Sequence, residues 1–351
     1  MATTRAQSVA QVQQSSGGPV PPQAAGKNAI INGAFNVWQR GTSFTGANAY
    51  AYTADRWAYR DANGTPQVIS QVTTGLPTGF RYGIKMGRAA AATGTSGQYL
   101  VQGLETTQSI SLASQSVTLS FYAKKGANYS PTQVAVLVAT GTGTDQAING
   151  TTGGIGAWTG YAAVIDTTLT AATLTTSYVR YTYTGTVSSG ATQIGILLQQ
   201  NGVGTAGADD YLYITGVQLE VGSTATPFQT ASGTIGGELA LCQRYYYRQG
   251  GQSAYQIVST GLSATTTTYV GYVYPQVAMR VTPTSIDYAT LCVQPDPYGG
   301  IIAVTSVTNA SAGYNLLAIT ATVASGLTAF QNNRLETNNS TSGYLGFSAE
   351  L

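Results

Sequence analysis

The sequence of 351 residues contains no histidine, and this absence excludes several kinds of catalytic site. Histidine is the commonest general base and a usual zinc ligand, so nucleophilic systems that pair Ser or Cys with His have no base here. Glycoside hydrolysis by two carboxylates stays open chemically. The 13 Asp and Glu residues are sparse, however, and their spacing suggests no such pair. We therefore expect a protein that is not an enzyme.

Charged residues are also scarce. Charged residues make up 8% of the chain and the net charge is +2, against roughly 25% charged residues in an average soluble protein. Proteins that bind nucleic acid concentrate Lys and Arg on one face to neutralise phosphates. Lys124 and Lys125 are the only adjacent cations, and we interpret them as a solvated strand end. We expect no nucleic-acid partner.

Cysteines and long apolar runs are also scarce. Cys242 and Cys292 are too few for a disulfide framework, so we expect buried free thiols, with a single bridge as the alternative. No stretch approaches the roughly 20 apolar residues that a membrane-spanning helix needs, and the first residues lack the apolar core of a secretion signal. We expect no membrane insertion, synthesis in a cytoplasm, and release only with a particle or after lysis.

The residues that are abundant favour β-structure. Thr and Tyr suit pleated, half-buried strands, and the 43 glycines supply turns. In residues 117–124 and 177–187, side chains that suit a buried face alternate with polar ones. This period of two, with Gly, Asn, Ser and Pro between the runs, indicates antiparallel sheets that each bury one face. The sequence predicts an all-β fold.

The pattern divides the chain into three parts. Residues 1–27 include three prolines and predict an extended tail and linker, either disordered or an anchor that orders on its docking partner. Residues 28–232 predict a jelly-roll β-sandwich of two sheets. Residues 233–351 predict a smaller β-sandwich. It opens in residues 238–247 with a helical turn before a strand and closes with a strand in residues 343–351.

Several motifs resemble a known family. Asn28–Phe35 (NAIINGAF), Trp38–Phe44 (WQRGTSF) and Tyr52–Trp57 (YTADRW) are similar to the opening of a domain common in bacteriophage tail fibre proteins. Ile214–Ser223 (ITGVQLEVGS), followed by Thr226–Phe228, resembles the end of that domain. The strands between them resemble the central strands of carbohydrate-binding-module-like jelly rolls.

The C-terminal part resembles the domain that often follows in such fibres, through residues 238–247, residues 279–284 and the closing Ala349–Leu351. The resemblance implies a virion component, usually trimeric, that contacts the host surface. We expect a homotrimeric tail fibre that attaches to host cell-surface carbohydrate and docks to other tail or baseplate proteins through residues 1–27. The alternatives are an architectural head fibre or baseplate protein without receptor binding, and a polysaccharide-degrading tailspike. Such tailspikes are usually long β-helices, and no such repeat is visible.

Two polar–aromatic groups are candidate sugar contacts. In Trp38–Arg40 and Asp55–Trp57, an indole could stack on a pyranose while Arg and Gln donate to hydroxyls; the alternative, which we favour, is that both Trp rings are packed and an Asp–Arg pair pins the loops. Trp158, in a Gly-rich loop with Tyr161, is the better candidate for an exposed ring, although we slightly favour the alternative that it is buried. The sugar-binding candidates are thus Trp38, Arg40, Trp158 and Tyr161.

Asp209 and Asp210 precede a strand, and Glu220 lies at its far end. In sugar-binding jelly rolls a structural calcium often joins such acids to backbone carbonyls, and calcium takes six to eight oxygen ligands. The resemblance therefore makes calcium at Asp209 and Asp210 a hypothesis. An Asx-type turn that leads into the strand is the alternative. We expect no other cofactor.

The tyrosines cluster in the C-terminal part. Because a strand alternates its faces, three adjacent tyrosines cannot all lie in one small core. Tyrosine is enriched at interfaces, and a threefold axis gives a closed assembly, so we predict subunit contacts, with a sugar-binding face as the alternative. The predicted trimer-interface residues are Tyr245, Tyr246, Tyr247, Tyr269, Tyr272 and Tyr274.

Overall fold

The computed structural model describes residues 26–45, 50–61, 67–148, 154–295, 299–309 and 313–351. The predicted N-terminal tail, residues 1–27, lies outside this described part except for Gly26 and Lys27. The regular secondary structure of the described chain is almost entirely β-strand, which confirms the all-β prediction. None of its helices has the length and apolar character required to cross a membrane.

Residues 43–221 form two antiparallel sheets that face each other. The strands of this part are β1 (Ser43–Thr45), β2 (Ala51–Tyr52), β3 (Ala58–Asp61), β4 (Gln67–Val72), β5 (Gly83–Arg88), β6 (Gly97–Gly103), β7 (Ser116–Lys125), β8 (Gln133–Gly141), β9 (Ala162–Thr170), β10 (Val179–Thr186), β11 (Gln193–Asn201) and β12 (Tyr211–Val221). Sheet A has the strand order β1-β4-β5-β12-β7-β10, and sheet B has the order β2-β3-β6-β11-β8-β9. The predicted two-sheet sandwich is therefore present.

The alternation within each strand builds the core of the sandwich. In β7, Val117, Leu119, Phe121 and Ala123 are buried in one hydrophobic cluster with the inward-facing residues of sheet B. Full burial of such a side chain contributes roughly 1.5–3 kcal/mol. The intervening residues of β7 point away from this cluster because successive Cβ atoms lie on opposite faces of a strand. Each sheet thus has an inner face that builds the sandwich core and an outer face whose side chains point away from it.

Short helices connect these strands and lead into the C-terminal part. Helix α1 (Thr106–Ser109) continues into a 3₁₀-helix (Ile110–Leu112). Helix α2 (Ile235–Gln243) begins at Thr234, whose hydroxyl accepts a hydrogen bond of 3.1 Å from the Gly237 amide. This side-chain cap satisfies one of the unpaired amides of the first turn. The helical turn predicted in residues 238–247 is therefore a longer helix that starts three residues earlier.

The C-terminal strands form a barrel and a small sheet. They are β13 (Tyr246–Gly250), β14 (Ile257–Ser263), β15 (Thr268–Val273), β16 (Ser285–Ala289), β17 (Leu291–Pro295), β18 (Ile302–Asn309), β19 (Leu317–Val323), β20 (Asn332–Thr337) and β21 (Tyr344–Ser348). Six of them close into a barrel of order β14-β15-β19-β18-β17-β20, and β13-β21-β16 form a three-stranded sheet. The strand predicted in residues 343–351 is confirmed as the middle strand of that sheet.

The barrel replaces the smaller sandwich that the sequence predicted for this part. Gly261 and Gly271 lie opposite each other in the β14–β15 pair. A Cβ atom at Gly261 would overlap the carbonyl oxygen of Val270. The two backbones approach closely because side chains are missing there, and glycine at such a place permits the bend that closes a barrel. Closure also removes exposed sheet edges.

Both cysteines are free and buried, as the sequence predicted. Cys242 lies in α2 and Cys292 in β17. Burial raises the pKa of the Cys242 thiol well above its ordinary value, and burial together with the nearby Glu336 carboxylate raises the pKa of Cys292 to about 11. Both thiols are therefore protonated at neutral pH.

A buried ion pair joins the N-terminal sandwich to the C-terminal residues. Glu350 accepts hydrogen bonds from Arg56 and, at 3.3 Å, from Arg40. Arg56 is 1% exposed and Glu350 5% exposed. The Arg56 guanidinium lies 3.5 Å from the ring centroid of Tyr245 and donates a 2.7 Å hydrogen bond to the Gly103 carbonyl. Hydrogen bonds and a cation–π contact thus compensate for the removal of these charges from water.

Hydrogen bonds to backbone atoms hold the segment that carries Glu350. Arg280 donates to the carbonyls of Ala349 and Glu350, at 2.9 and 3.0 Å. The Tyr52 hydroxyl donates to the Leu351 carbonyl at 3.1 Å. The Ala349 amide donates to the Tyr245 carbonyl at 2.7 Å. Residues 349–351 therefore lie where the sandwich, the three-stranded sheet and the segment around Arg280 meet.

Replacing Glu350 with Gln is expected to destabilise the protein by about 3–5 kcal/mol, because it leaves the buried Arg56 charge without its counterion. Urea unfolding followed by circular dichroism measures the change. Asp166→Asn is the matched control, since Asp166 is exposed and its substitution should change the free energy of unfolding by less than about 0.5 kcal/mol. Equal effects of the two substitutions would contradict a central role for the Glu350 ion pair.

Candidate functional site

The predicted trimer-interface tyrosines are mostly internal, and for these residues the prediction is wrong. The chain itself buries Tyr245, Tyr246 and Tyr247, which are 1%, 1% and 3% exposed, and Tyr269 is also fully buried. The other two predicted residues are at the surface, with Tyr272 48% and Tyr274 68% exposed.

The prediction of subunit contacts rested on the argument that three adjacent tyrosines cannot all lie in one small core. That argument holds, because the three rings lie in different surroundings. Tyr245 packs with Cys242 and the first residues of the sandwich, whereas Tyr247 packs with the barrel residues. Tyr246 donates a 2.8 Å hydrogen bond to Asp287 and stacks on Arg40, whose guanidinium lies 3.6 Å from its ring centroid. Both faces of this segment are covered because two parts of the same chain meet there, so no second subunit is needed to bury the rings.

The first pair of predicted sugar contacts lies at the same junction. The Trp38 indole donates a 2.6 Å hydrogen bond to the Phe35 carbonyl and stacks on Phe44 with 6.5 Å between ring centroids. Arg40 is held between Tyr246 and Glu350. These contacts give both side chains structural roles. The prediction that Arg40 binds sugar is therefore wrong, because the Arg40 guanidinium is engaged by Tyr246 and Glu350 of the same chain.

Trp158 is not an exposed ring, which corrects the second candidate assignment. It is 4% exposed, and its indole donates a 3.2 Å hydrogen bond to the Ala147 carbonyl. Its ring lies over glycines of sheet B, so that a Cβ atom at Gly195 would come within 2.9 Å of it. Tyr161, by contrast, is 42% exposed. Burial and the nearby Asp166 carboxylate raise its pKa.

The carboxylates predicted to bind calcium have other partners. Asp210 forms a buried ion pair of 2.7 Å with Arg88 and accepts a 2.7 Å hydrogen bond from the Ser130 amide. Asp209 accepts from the Tyr213 hydroxyl at 2.6 Å and from the amide of Ala127 at 2.9 Å. The hypothesis of calcium at Asp209 and Asp210 is therefore corrected: the carboxylate that calcium would need is the counterion of a guanidinium.

Glu220, the third acid, is equally engaged. It accepts hydrogen bonds from the amide and hydroxyl of Thr226, at 2.8 and 2.6 Å, and pairs with Lys27 at 3.2 Å. Within the ranges that the structure describes, no three His, Cys, Asp or Glu side chains gather into a metal-binding group.

The outer face of sheet B presents a row of residues that are polar or aromatic except for Ala135. The strand register places Arg60 beside Tyr99, Tyr99 beside Gln199, Gln199 beside Ala135, and Ala135 beside Thr168. These five residues, which we call the sheet B row, cross strands β3, β6, β11, β8 and β9. Their chain neighbours on each strand point inward to the sandwich core, so the row itself faces outward.

Tyr99 lies flat on the sheet. A Cβ atom at Gly97 would come within 2.5 Å of the Tyr99 hydroxyl and 2.7 Å of the ring carbon that bears it, so the ring covers the glycine two residues earlier. The Arg60 guanidinium carbon lies 5.9 Å from the Tyr99 ring centroid and 5.7 Å from that of Tyr50. Tyr99 is partly buried against the cluster of Val101, Leu197 and Trp158, and the guanidinium lies over its ring.

Amide groups continue the row. Gln199 donates a 3.2 Å hydrogen bond to the side chain of Asn201. The two residues line, together with Gln133 and Thr132, a polar depression of about 130 Å³. Of the four predicted sugar contacts, Trp158 packs on this outer face as a buried ring, and the exposed Tyr161 lies near Asp166, which pairs with Leu137 of β8. Amides that donate and accept beside a flat ring are the groups that hold a sugar, whose ring carries both apolar C–H faces and hydroxyls.

Comparisons with known proteins give remote likenesses only. No protein-family profile matches the sequence, and no curated protein matches it. Among solved structures, the enzymatically active domain of bacteriophage CBA120 tailspike protein 4 is 10% identical, with a TM-score of 0.32; the match covers 56% of this chain and 21% of the tailspike chain.

Two binding modules are similarly remote. A family 4 carbohydrate-binding module is 17% identical over 55% of this chain and 99% of its own, with a TM-score of 0.33. A xylan-binding domain of family 22 from Paenibacillus barcinonensis is 14% identical over 57% of this chain and 98% of its own, with a TM-score of 0.32. The function therefore has to be inferred from the residues of this chain.

Asp55, beside the junction, is a buried carboxylate with an altered acidity. It accepts a 2.9 Å hydrogen bond from the Gln39 amide and another from the Gln39 side chain, and it is fully enclosed. Burial raises the pKa of Asp55 to about 6, although Arg40 and the hydrogen bonds from Gln39 oppose this change. The carboxylate is therefore charged at neutral pH and protonated in mild acid.

The raised pKa of Asp55 predicts that this group stabilises the fold more in mild acid than at neutral pH. Between its ordinary pKa of 3.8 and its folded pKa of about 6 the folded state binds more protons, so this contribution is full below pH 3.8 and is lost as the pH rises through 6. The loss is at most about 3 kcal/mol, at about 1.4 kcal/mol per pKa unit. The difference in unfolding free energy between the native protein and Asp55→Asn, measured from pH 4 to 8, isolates this group. A difference that is constant across that range would contradict the assignment.

Proposed function

We propose that this protein is a non-enzymatic, carbohydrate-binding subunit of a bacteriophage fibre, which assembles as a homotrimer and attaches the particle to glycan on the host cell surface. The observation that carries the proposal is the sheet B row, in which a flat tyrosine ring, a guanidinium and side-chain amides lie side by side on one outer face. The motif resemblance between residues 28 and 57 supports the assignment to a phage fibre.

The chemistry of this face suits a neutral glycan. Arg60 is the one cation of the row, and the other donors and acceptors are uncharged. Each neutral hydrogen bond contributes only about 0.5–1.5 kcal/mol net, so a single site is expected to bind weakly. Three copies on one fibre, and several fibres on one particle, convert weak contacts into firm attachment because later contacts form at high effective concentration.

Exposed apolar side chains on the barrel support self-association. Tyr272 lies opposite Thr260 in the β14–β15 pair, and Leu262 lies two residues further along the same face of β14. Both are at the surface, and Phe330, which lies in the turn Thr328–Gln331 and whose amide donates to the Ser263 carbonyl, is 84% exposed. Apolar patches of this kind mark contacts between proteins. We therefore assign the subunit contact to this face of the barrel, with residues 1–27 proposed to dock the fibre to other virion proteins.

The glycan site predicts that Tyr99→Ala with Gln199→Ala weakens binding at least tenfold, about 1.4 kcal/mol, because both the stacking ring and the amide are lost. An array of neutral polysaccharides (glucan, mannan, galactan and xylan), probed with the native trimer, gives the reference ligand. Tyr314→Ala is the control, since it removes an exposed ring outside sheet B. If the native protein binds no glycan at any density of glycan on the array, the architectural alternative is favoured. Release of reducing sugar would favour a depolymerase.

The barrel contact predicts a trimer that dissociates when its apolar patch is charged. Light scattering after size-exclusion chromatography should give about three times the mass of one chain for the native protein. Tyr272→Asp with Phe330→Asp should give monomers, because burying two carboxylates at a contact costs several kcal/mol. Tyr161→Asp, on the sandwich, should leave the mass unchanged. A native protein that is monomeric at micromolar concentration would overturn the trimer.

A further inference from the structure

The outer face of sheet A carries a chemistry opposite to that of sheet B. The strand register places Lys85 of β5 beside Tyr213 of β12, and Tyr213 beside Lys124 of β7. Tyr178, next to the start of β10, continues the row on the far side of Lys124. The sequence neighbours Ile84, Ile214 and Ala123 are buried in the sandwich core, so lysines and tyrosines alternate across the opposite face.

Aromatic rings hold the two ammonium groups against the sheet. The Lys124 ammonium lies 4.8 Å from the ring centroid of Tyr213 and 5.2 Å from that of Tyr178. The Lys85 ammonium lies 4.4 Å from the ring centroid of Tyr211. That ring is itself pressed onto the sheet, since a Cβ atom at Gly87 would come within 2.5 Å of it. These are cation–π contacts, which fix the charges in place without neutralising them.

Neither lysine has a counterion within the described part of the chain. Among the residues that the structure describes, Lys85 and Lys124 form no ion pair. Asp209, which accepts from the Tyr213 hydroxyl, also binds the Ala127 amide. The two strands are separated by one other, so Lys85 and Lys124 start from backbone positions about 10 Å apart at a strand spacing of about 4.8 Å. Their potentials overlap, because the Debye length at 0.1 M salt is also about 10 Å.

The lysine–tyrosine row continues toward a cleft of about 620 Å³. Tyr122, with the Arg180 guanidinium 5.8 Å from its ring centroid, packs against Phe80 at 5.2 Å between centroids. Phe80 and Phe228, 5.1 Å apart and tilted by 52°, form one wall. Arg81, which is exposed and forms no ion pair in the described chain, stands beside Phe80 on the lining of the same cleft.

Two side-chain amides complete the cleft. Asn36 and Gln229 both line it. Within the part of the chain that the structure describes, neither side-chain amide is hydrogen-bonded to another residue. A cation, two aromatic rings and two amides without a partner in the described chain therefore line one concave surface at the end of the cationic row.

We propose that the outer face of sheet A, from Tyr178 through Lys124 and Lys85 to the cleft at Phe80 and Arg81, is a second binding surface whose ligand is a polysaccharide that carries carboxylate groups. The lysines and Arg81 pair with the carboxylates, the phenyl rings of the cleft stack on sugar rings, and the amides bind hydroxyls. This surface is independent of the sheet B row, so failure of one leaves the other standing.

The geometry favours an acidic sugar chain over single-stranded nucleic acid. Base stacking needs aromatic faces that are open to the ligand. On this face the rings of Tyr211, Tyr213 and Tyr178 are already in contact with the lysine ammonium groups. What the row offers outward is charge at regular intervals, and the open rings are confined to the cleft.

Polygalacturonate and its fully methyl-esterified form test the proposal, because the two share a backbone and differ only in charge. The native protein should bind polygalacturonate, and raising NaCl from 50 to 300 mM should weaken binding at least tenfold. Lys85→Gln with Lys124→Gln should also weaken it at least tenfold. Lys125→Gln is the matched control, since its ammonium donates to the Ala171 carbonyl instead, and it should retain binding. Phe80→Ala should also weaken binding, because it removes an aromatic ring of the cleft while it leaves the two lysines in place.

Three outcomes would overturn the proposal. One is equal binding of the esterified form. Another is binding of an oligothymidylate of 20 nucleotides with equal affinity and the same dependence on Lys85 and Lys124. The third is a change in the mass of the assembly in the lysine variant, which would make the face a contact between copies. Tyr99→Ala with Gln199→Ala, which should abolish binding at sheet B, is expected to leave polygalacturonate binding intact. Unfolding curves for each variant separate loss of binding from loss of fold.

Discussion

The ion pair between Arg56 and Glu350 is the interaction on which the arrangement of the whole chain depends. It brings together the first residues of the sandwich and the last residues of the chain, and it lies where nearly all water has been excluded. Charges in such a place are tolerated only when hydrogen bonds and a counterion replace the lost hydration. Gly103, Tyr245 and Arg40 provide these partners, so the junction is specific as well as tight.

The sandwich core uses the inward-facing positions and a second cluster around Trp158 covers part of the outer face of sheet B, so the remaining outward-facing positions are the ones available for binding. Sheet A and sheet B have the same number of strands and the same pairing rules, yet one exposes lysines held by tyrosines and the other exposes amides beside a single flat ring. Two different ligands can thus be served by one fold, since the residues that stabilise it and the residues that recognise ligands alternate along each strand.

Features that depend on residues close together in the sequence could be predicted, whereas contacts between residues far apart in the sequence could not. The all-β class, the strand in residues 343–351 and the buried thiols follow from local alternation and composition, and they were predicted. Arg88 and Asp210 are 122 positions apart, and the rows on both sheets join strands that are not consecutive. Local patterns reveal which residues share a face of one strand, but they do not reveal which strands become neighbours. For the same reason Trp158 and the run Tyr245–Tyr247 could not be placed.

The glycines beneath Tyr99 and Tyr211 have a consequence for recognition. A ring that is pressed onto a bare backbone has few orientations available, so it loses little conformational freedom when a ligand arrives. Preorganisation of this kind increases affinity by lowering the entropic cost of binding rather than by adding contacts. Gly97 therefore affects ligand binding from below the surface: a methyl group there would meet the Tyr99 ring and lift it off the sheet, whereas a methyl group at Gly87 would also collide with the Asp210 carbonyl.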